Sequence, residues 1–171
     1  SLDNGELRVF GTGGHRSAWR IARAGVGRTF QTPRVFDALT IRENIEVAAP
    51  VAVRDLPAHW EGLRPELLPH AQRRLLEVLR VVASDAQLLL LDEPAAGLSR
   101  EERLQFAQLL RVLRDRLGKT ILFVEHDLAL VWQVADHITV LDAGKVVADG
   151  PPGAIIADAR VRALFTGAPD A

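Results

Sequence analysis

The sequence contains no cysteine, which excludes a disulfide framework, a thiolate nucleophile and a zinc–thiolate site, and fits a reducing cytosol. No apolar run approaches the ~18 residues of a membrane span, and the residues from Ser1 onward lack the charged-then-apolar pattern of a signal peptide. Methionine is absent as well, even at position 1, so the chain is expected to be trimmed or to belong to a longer reading frame. Lysine is almost missing: of 21 basic residues only Lys119 and Lys145 are lysine. That arginine bias, beside abundant Ala and Val, fits genome composition better than phosphate binding. The charges nearly cancel, at a net -1, so neither nucleic acid nor an acidic substrate is expected as a partner. What remains is 171 residues, 48% hydrophobic, enough for one globular domain with a sizeable core.

The most informative stretch is residues 84–99, SDAQLLLLDEPAAGLS. Four leucines, Leu88 to Leu91, are too few for a helix face and read as a strand buried on both sides, as inside a parallel sheet. Asp92 and Glu93 follow at once, and Pro94 stops the strand. In open α/β sheets the ligand crevice lies beyond the carboxyl ends of the strands, so an acidic pair there is placed to hold a metal and act on a water. Taken alone, the pair could equally end the strand in solvent.

Elsewhere the elements follow from local chemistry. Glu6–Phe10 reads as a short strand and the glycines of 11–14 as a turn. Two runs mimic a phosphate loop: Gly11-Thr12-Gly13-Gly14, which lacks the lysine and following Ser/Thr, and Ala22–Thr29, ARAGVGRT, which has arginine in the lysine's place and Pro33 where a helix should follow. Val26–Phe30 is instead expected to be a strand ending at Gln31. Thr40 and Glu43 form a capping box for a short helix to about Ala49. Residues 50–65, with three prolines, show no period. Leu68, Ala71, Leu75, Val78, Leu79 and Val82 make a helical stripe, leaving Arg73, Arg74, Glu77 and Arg80 on a face expected to be solvated.

A second capping box, Ser99 with Glu102, opens a helix whose Leu110, Leu113 and Leu117 should face inward and which should end at Gly118. Thr120–Val124, TILFV, reads as a second buried strand leading to Glu125-His126-Asp127. Asp127 can cap the next helix, to Ala135. Residues 138–149 then form a hairpin about Asp142-Ala143-Gly144-Lys145, and Gly150-Pro151-Pro152 leads to two short helices. Alternating strand and helix in the second half imply an α/β fold with a largely parallel sheet.

Four motifs now stand in order: RTFQ at 28–31, LLLLDEP at 88–94, AGLS at 96–99 and VEHD at 124–127. Together they resemble the ATPase subunits of ABC transporters, and the passages RTFQTPRVFDALTIRENI and DARVRALFTG look most like the subunit serving branched-chain amino acid uptake. The resemblance runs from residue 1 to about 167 and is weakest over 50–65. It implies a P-loop-NTPase-like sheet, mostly parallel and flanked by helices, with an antiparallel N-terminal strand region and an incomplete core. Residues 1–171 would form a single partial ABC ATPase domain. Within it, 32–83 would be a reduced helical subdomain with a degenerate signature, 84–150 the Walker B, D-loop and switch-histidine core, and 151–171 the C-terminal helices.

The resemblance also implies roles. Asp92 would hold Mg²⁺, through water or directly, and Glu93 would be the general base polarising the attacking water. Gln31 would lie near the metal and face the membrane subunit, and His126 would contact the γ-phosphate of ATP. Such roles suit phosphoryl transfer, which needs positioning and charge neutralisation more than covalent chemistry. A lone Gln or His after a strand is as readily structural, and His15, His59, His70 and His137 have no motif around them. Implied partners are transmembrane permease subunits and a second ATPase subunit, with the protein peripheral on the cytoplasmic face of the membrane.

Three departures from the family pattern stand out. The family's phosphate loop would precede the strand at Glu6–Phe10, and the chain begins downstream of it. Leu68-Pro69-His70-Ala71-Gln72 replaces a Ser-Gly-Gly-Gln signature, and Pro69 has neither the hydroxyl nor the N–H that would meet a partner's γ-phosphate, although it suits a first helical turn. In the D-loop Ser99 stands where Asp or Asn is common. A strand missing from the sheet interior would leave unpaired backbone groups, so a marginal or association-prone chain is expected. Two other readings stay open: a degenerate, non-hydrolysing interaction subunit or gene fragment, and a metal-dependent hydrolase using Asp92 and Glu93, for which the sequence offers few further ligands.

Overall fold

The computed structural model describes residues 5–13, 17–30, 32–48, 60 and 62–166. Two compact units divide the chain, Ser1–His126 and Asp127–Ala171.

The first unit is built on the leucine run, which forms strand β4 (Leu88–Asp92). Before it come β1 (Arg8–Val9), β2 (Thr12–Gly13), helix α1 (Ala18–Arg23), β3 (Val26–Arg28), α2 (Ile41–Glu46) and α3 (His70–Ala83), with a 3-10 turn at Pro65–Leu67. After it come α4 (Arg100–Asp115) and β5 (Thr120–Val124). β4 lies between β3 and β5 and pairs parallel with both, from Val26↔Leu88 on one side and from Leu88↔Thr120 to Asp92↔Val124 on the other. All three strands therefore end on the same side, where the sequence places its polar residues. β1 and β2 form a separate antiparallel pair.

Close approach fixes β3 against α3. A Cβ added at Gly27 would overlap Val81 Cγ1 and come within 3.0 Å of Ala86 Cβ. Helices α2 and α3 share an apolar cluster, in which Ile41, Ile45, Trp60, Leu68 and Leu76 are buried and Val35, Leu63 and Leu79 pack on them. Its polar anchor is Asn44, fully buried: the side-chain amide accepts from Phe36 N–H at 2.8 Å and donates to the carbonyls of Phe36, Leu39 and Thr40. Every polar atom of that side chain is thereby satisfied.

The second unit holds α5 (Leu128–Val134), the hairpin β6 (Ile138–Asp142) and β7 (Lys145–Gly150), α6 (Pro152–Ala157) and α7 (Ala159–Thr166). Asp127 caps α5, accepting from the N–H groups of Ala129 and Leu130. Ala143 and Gly144 both have positive φ, 45° and 77°, the backbone a tight hairpin turn of matching twist requires. Val140, Ala148, Ile155 and Val161 form the core of this unit.

Both capping boxes form as the sequence predicts, at Thr40/Glu43 and Ser99/Glu102. Several expectations fail. β4 is buried on one face only: Leu89 and Leu91 are sealed, while Leu88 and Leu90 are half-buried. β5 is not a buried strand, because it is the outer of three strands and Leu122 and Val124 are over 60% exposed, at 61% and 62%. Leu117 is exposed because α4 ends at Asp115, before the turn that would bring it inward. Arg74 and Glu77 are buried rather than solvated. α1 was not foreseen, and its six residues bury no side chain. Expectations that fall on residues 1–4, 14–16, 31, 49–59, 61 and 167–171 lie outside the described residues.

Gly27→Ala is expected to lower stability by about 1–3 kcal/mol, the usual cost of overpacking a core, read as a lower urea midpoint at unchanged slope. The Glu102 carboxyl is held below its ordinary value of 4.5 chiefly by the backbone N–H of Ser99 and then by its hydroxyl. A depressed carboxylate stabilises the fold above its unfolded pKa, and that contribution is lost as pH falls through the folded value. Any advantage of the native chain over Glu102→Gln in melting temperature should therefore be present at neutral pH and vanish on acidification through that window.

Candidate functional site

The site is assembled from the carboxyl ends of β4 and β5. Asp92 is the last residue of β4 and pairs with Val124. Its own N–H donates to the hydroxyl of Thr29, a buried residue whose N–H continues the β3–β4 ladder to Leu90 O. From α3, Arg74 Nη1 donates to the Asp92 carbonyl at 3.3 Å. The end of the strand is thus gripped from two sides and the Asp92 side chain left half-buried.

At Glu93 the chain leaves the strand with φ 44°, a left-handed conformation uncommon for a residue other than glycine. Three bonds secure the turn. Glu93 N–H donates to Val124 O at 3.0 Å, Ala96 N–H to Glu93 O at 3.1 Å, and Ala95 N–H to Glu125 Oε1 at 2.8 Å. The conformation costs on the order of 1–3 kcal/mol and persists because its surroundings over-determine it. It brings Glu93 Oε1 to 3.9 Å from His126 Nδ1, with the imidazole 74% and the carboxylate 32% exposed. That separation exceeds a hydrogen bond, and both groups remain open to water.

Of the residues the sequence singled out, Glu93 and His126 approach each other at adjoining strand ends, and Asp92 closes the strand immediately before Glu93. Gln31 lies outside the described residues. The signature-position residues form a different feature: Pro69 is the N-cap of α3 and makes no side-chain cap bond. His70 lies beside the AGLS loop, its Nδ1 at 3.6 Å from where a Cβ on Gly97 would stand. Pro69 and His70 are exposed, Gln72 is half-buried and Ala71 is buried. Ser99 spends its side chain on the N-terminus of α4.

The sequence reading missed Thr29, Glu125, Arg74 and Glu77. The signal for Arg74 was present: it lies three residues after Ala71 and four before Val78, on the apolar stripe itself. For Thr29 and Glu125 no local signal exists, since their partners are on other strands.

As to the metal, the described residues contain no cluster of three His, Cys, Asp or Glu side chains able to hold an ion. Mg²⁺ is commonly bound by one or two carboxylates together with substrate phosphates and water, rather than by an all-protein cage. A single half-buried Asp92 carboxylate at a strand end fits that mode. Neither lysine stands at the carboxyl end of a parallel strand: Lys119 precedes β5 and Lys145 opens β7.

Comparison with known proteins agrees with this architecture. The family model described as "ABC transporter" matches residues 1–96. A high-affinity branched-chain amino acid transport ATP-binding protein, BraF of Pseudomonas aeruginosa, is 34% identical, covering 88% of this chain and 69% of its own length. The corresponding LivG protein of Salmonella typhimurium is 35% identical over 78% of this chain. This chain spans 64% of the LivG protein. Among solved structures, cbiO1 of Clostridium perfringens, described as part of an ABC transporter complex, superposes with a TM-score of 0.76 at 22% identity, covering 96% of this chain and 72% of its own. A dimeric ATP-binding cassette bound to ADP and Pi gives the same TM-score at 20% identity, over 88% of this chain and 74% of its own. The fold is accordingly the α/β, P-loop-NTPase-like fold of ABC ATPases, and the chain belongs to the ABC transporter ATP-binding family.

Proposed function

We propose that this chain is the part of an ABC transporter ATP-binding subunit that places the catalytic carboxylate and the switch histidine against the terminal phosphate of ATP. The transporter would import branched-chain amino acids; the BraF and LivG relatives are branched-chain amino acid transport ATP-binding proteins by name. The observation that carries the reading is the approach of Glu93 to His126 across two parallel strand ends. Asp92 would hold Mg²⁺, directly or through water, with Gln31 beside it. Held there, the ion would supply neutralisation of phosphate charge. Glu93 orients the attacking water and accepts its proton, and His126 hydrogen-bonds the oxygen on which charge develops.

The same reading assigns residues 32–83 to a reduced helical subdomain, 84–150 to the core carrying these groups and 151–171 to the C-terminal helices. Pro69, His70, Ala71, Gln72 and Ser99 would face the nucleotide of a second ATPase subunit, and the segment carrying Gln31 would face the permease. The protein would be cytoplasmic and held at the membrane by that permease. Among the described residues no helix is long and apolar enough to cross a membrane.

A second reading, a degenerate subunit that docks without hydrolysing, is favoured by Pro69: as an N-cap without a side-chain bond it offers a neighbouring phosphate neither a hydroxyl nor an N–H. The sequence between Ser1 and Ala171 also contains no G-x-x-x-x-G-K-[ST] run. This stretch alone should therefore bind MgATP weakly and turn it over slowly.

Nucleotide titration and turnover separate the two. Assembled with its permease and partner ATPase, Glu93→Gln should retain MgATP binding and lose roughly 10²–10⁴-fold in turnover, the range for removing a general base. Asp92→Asn should weaken the Mg²⁺ dependence of binding. Unchanged turnover in Glu93→Gln would sink the assignment of the base, and tight MgATP binding by the 171 residues alone would sink the degenerate reading.

A further inference from the structure

Two charges are sunk into α3: Arg74 is 2% and Glu77 3% exposed. Burying a charge is unfavourable unless specific bonds compensate it, so the bonds these groups make indicate what they are there to hold. Arg74 reaches the carbonyl of Asp92. Glu77 Oε1 accepts the backbone N–H of Phe30 at 3.3 Å and that of Arg34 at 3.1 Å. The β3–β4 ladder ends with Thr29 N–H donating to Leu90 O, so neither of those two amides belongs to it.

One turn further along α3, Arg80 donates to the carbonyl of Arg34 at 2.6 Å and to that of Asn44 at 3.0 Å. Glu77 and Arg80 thus hold the N–H and the carbonyl of Arg34, the peptide groups on either side of its Cα. The second carboxylate oxygen, Oε2, is buried without a hydrogen-bond partner among the described residues. The Glu77 side chain is thus committed to Phe30 and Arg34 through Oε1 alone. Burial holds its carboxyl above the ordinary range, against the pull of those two amides and of the Arg74 and Arg80 cations.

We propose that Glu77 is a positioning residue for the strand end that carries Asp92: by accepting the N–H groups of Phe30 and Arg34 it ties to α3 the chain that leaves β3, next to Thr29, whose hydroxyl takes the Asp92 N–H. The same helix holds the Asp92 carbonyl through Arg74, so one element grips both the exit of β3 and the end of β4. The inference rests on the role proposed for Asp92 above. Its structural content can be measured without nucleotide.

The experiment is residue-resolved amide hydrogen exchange on the whole chain, native and substituted. In the native protein the Phe30 and Arg34 amides should be protected to the level of the β4 amides, although neither lies in a strand. In Glu77→Ala both should exchange at least ~10-fold faster while the β4 amides keep their protection, and in Glu77→Gln, which retains the acceptor oxygen, both should return to within about three-fold of native. Unprotected Phe30 and Arg34 amides in the native chain would overturn the proposal, as would unchanged exchange in Glu77→Ala. So would a loss spread evenly through β4 that Gln does not restore. Should Glu77→Ala fail to fold, the native measurement and the Gln variant still decide. A protected, Gln-restored pair of amides beside unchanged turnover of Glu93→Gln in the assembled transporter would refute the nucleotide-site reading and leave the clamp standing.

Discussion

Parallel backbone pairing of β4 with a strand on either side is the constraint from which the candidate site follows. Three strands running the same way have their carboxyl ends on one side of the sheet, and the chain spends its polar residues there: Thr29 beyond β3, Asp92 and Glu93 at β4, Glu125 and His126 at β5. The pairing does not by itself aim a side chain. Aim comes from cross-strand bonds at the exits, where the Thr29 hydroxyl takes the Asp92 N–H and the Glu125 carboxylate takes the Ala95 N–H. The left-handed turn at Glu93 is stable because its N–H and carbonyl are both used within this lattice.

Helix α3 does more than cover the sheet. Its Leu76 packs with Leu68, just before the helix, and with Ile41 and Ile45 of α2, while Gly27 lets β3 lie flush against Val81. Its charged residues enter the interior and bind main-chain groups that the ladder leaves over. Replacing such charges by apolar groups can be neutral elsewhere in a protein. Here the Phe30 and Arg34 amides would then be left without their acceptor, so the ions are coupled to the course of the backbone rather than to bulk stability.

How much of this could be read from the sequence depends on whether the determining contact is near in the chain. Capping boxes at Thr40 and Ser99, the hairpin turn at Ala143-Gly144 and the cap at Asp127 are set by neighbours within a few residues, and all were legible. The leucine run announced a strand, and the polar residues after TILFV announced a second strand end. Sidedness was another matter. Whether Leu122 faces a helix or water depends on what stands beyond β5, and whether Glu77 is solvated depends on the path of residues 30–34, neither of which is local information. The carboxylate pair and the histidine could be found by motif. The Thr29 and Glu125 side chains that bond the surrounding backbone could not.

The outer position of β5 has a consequence of its own. Among the described residues its far side pairs with no other strand, and two of its aliphatic side chains stand in solvent. Such a row of idle amides and carbonyls, flanked by grease, is a template for recruiting an extended peptide from any neighbour that supplies one.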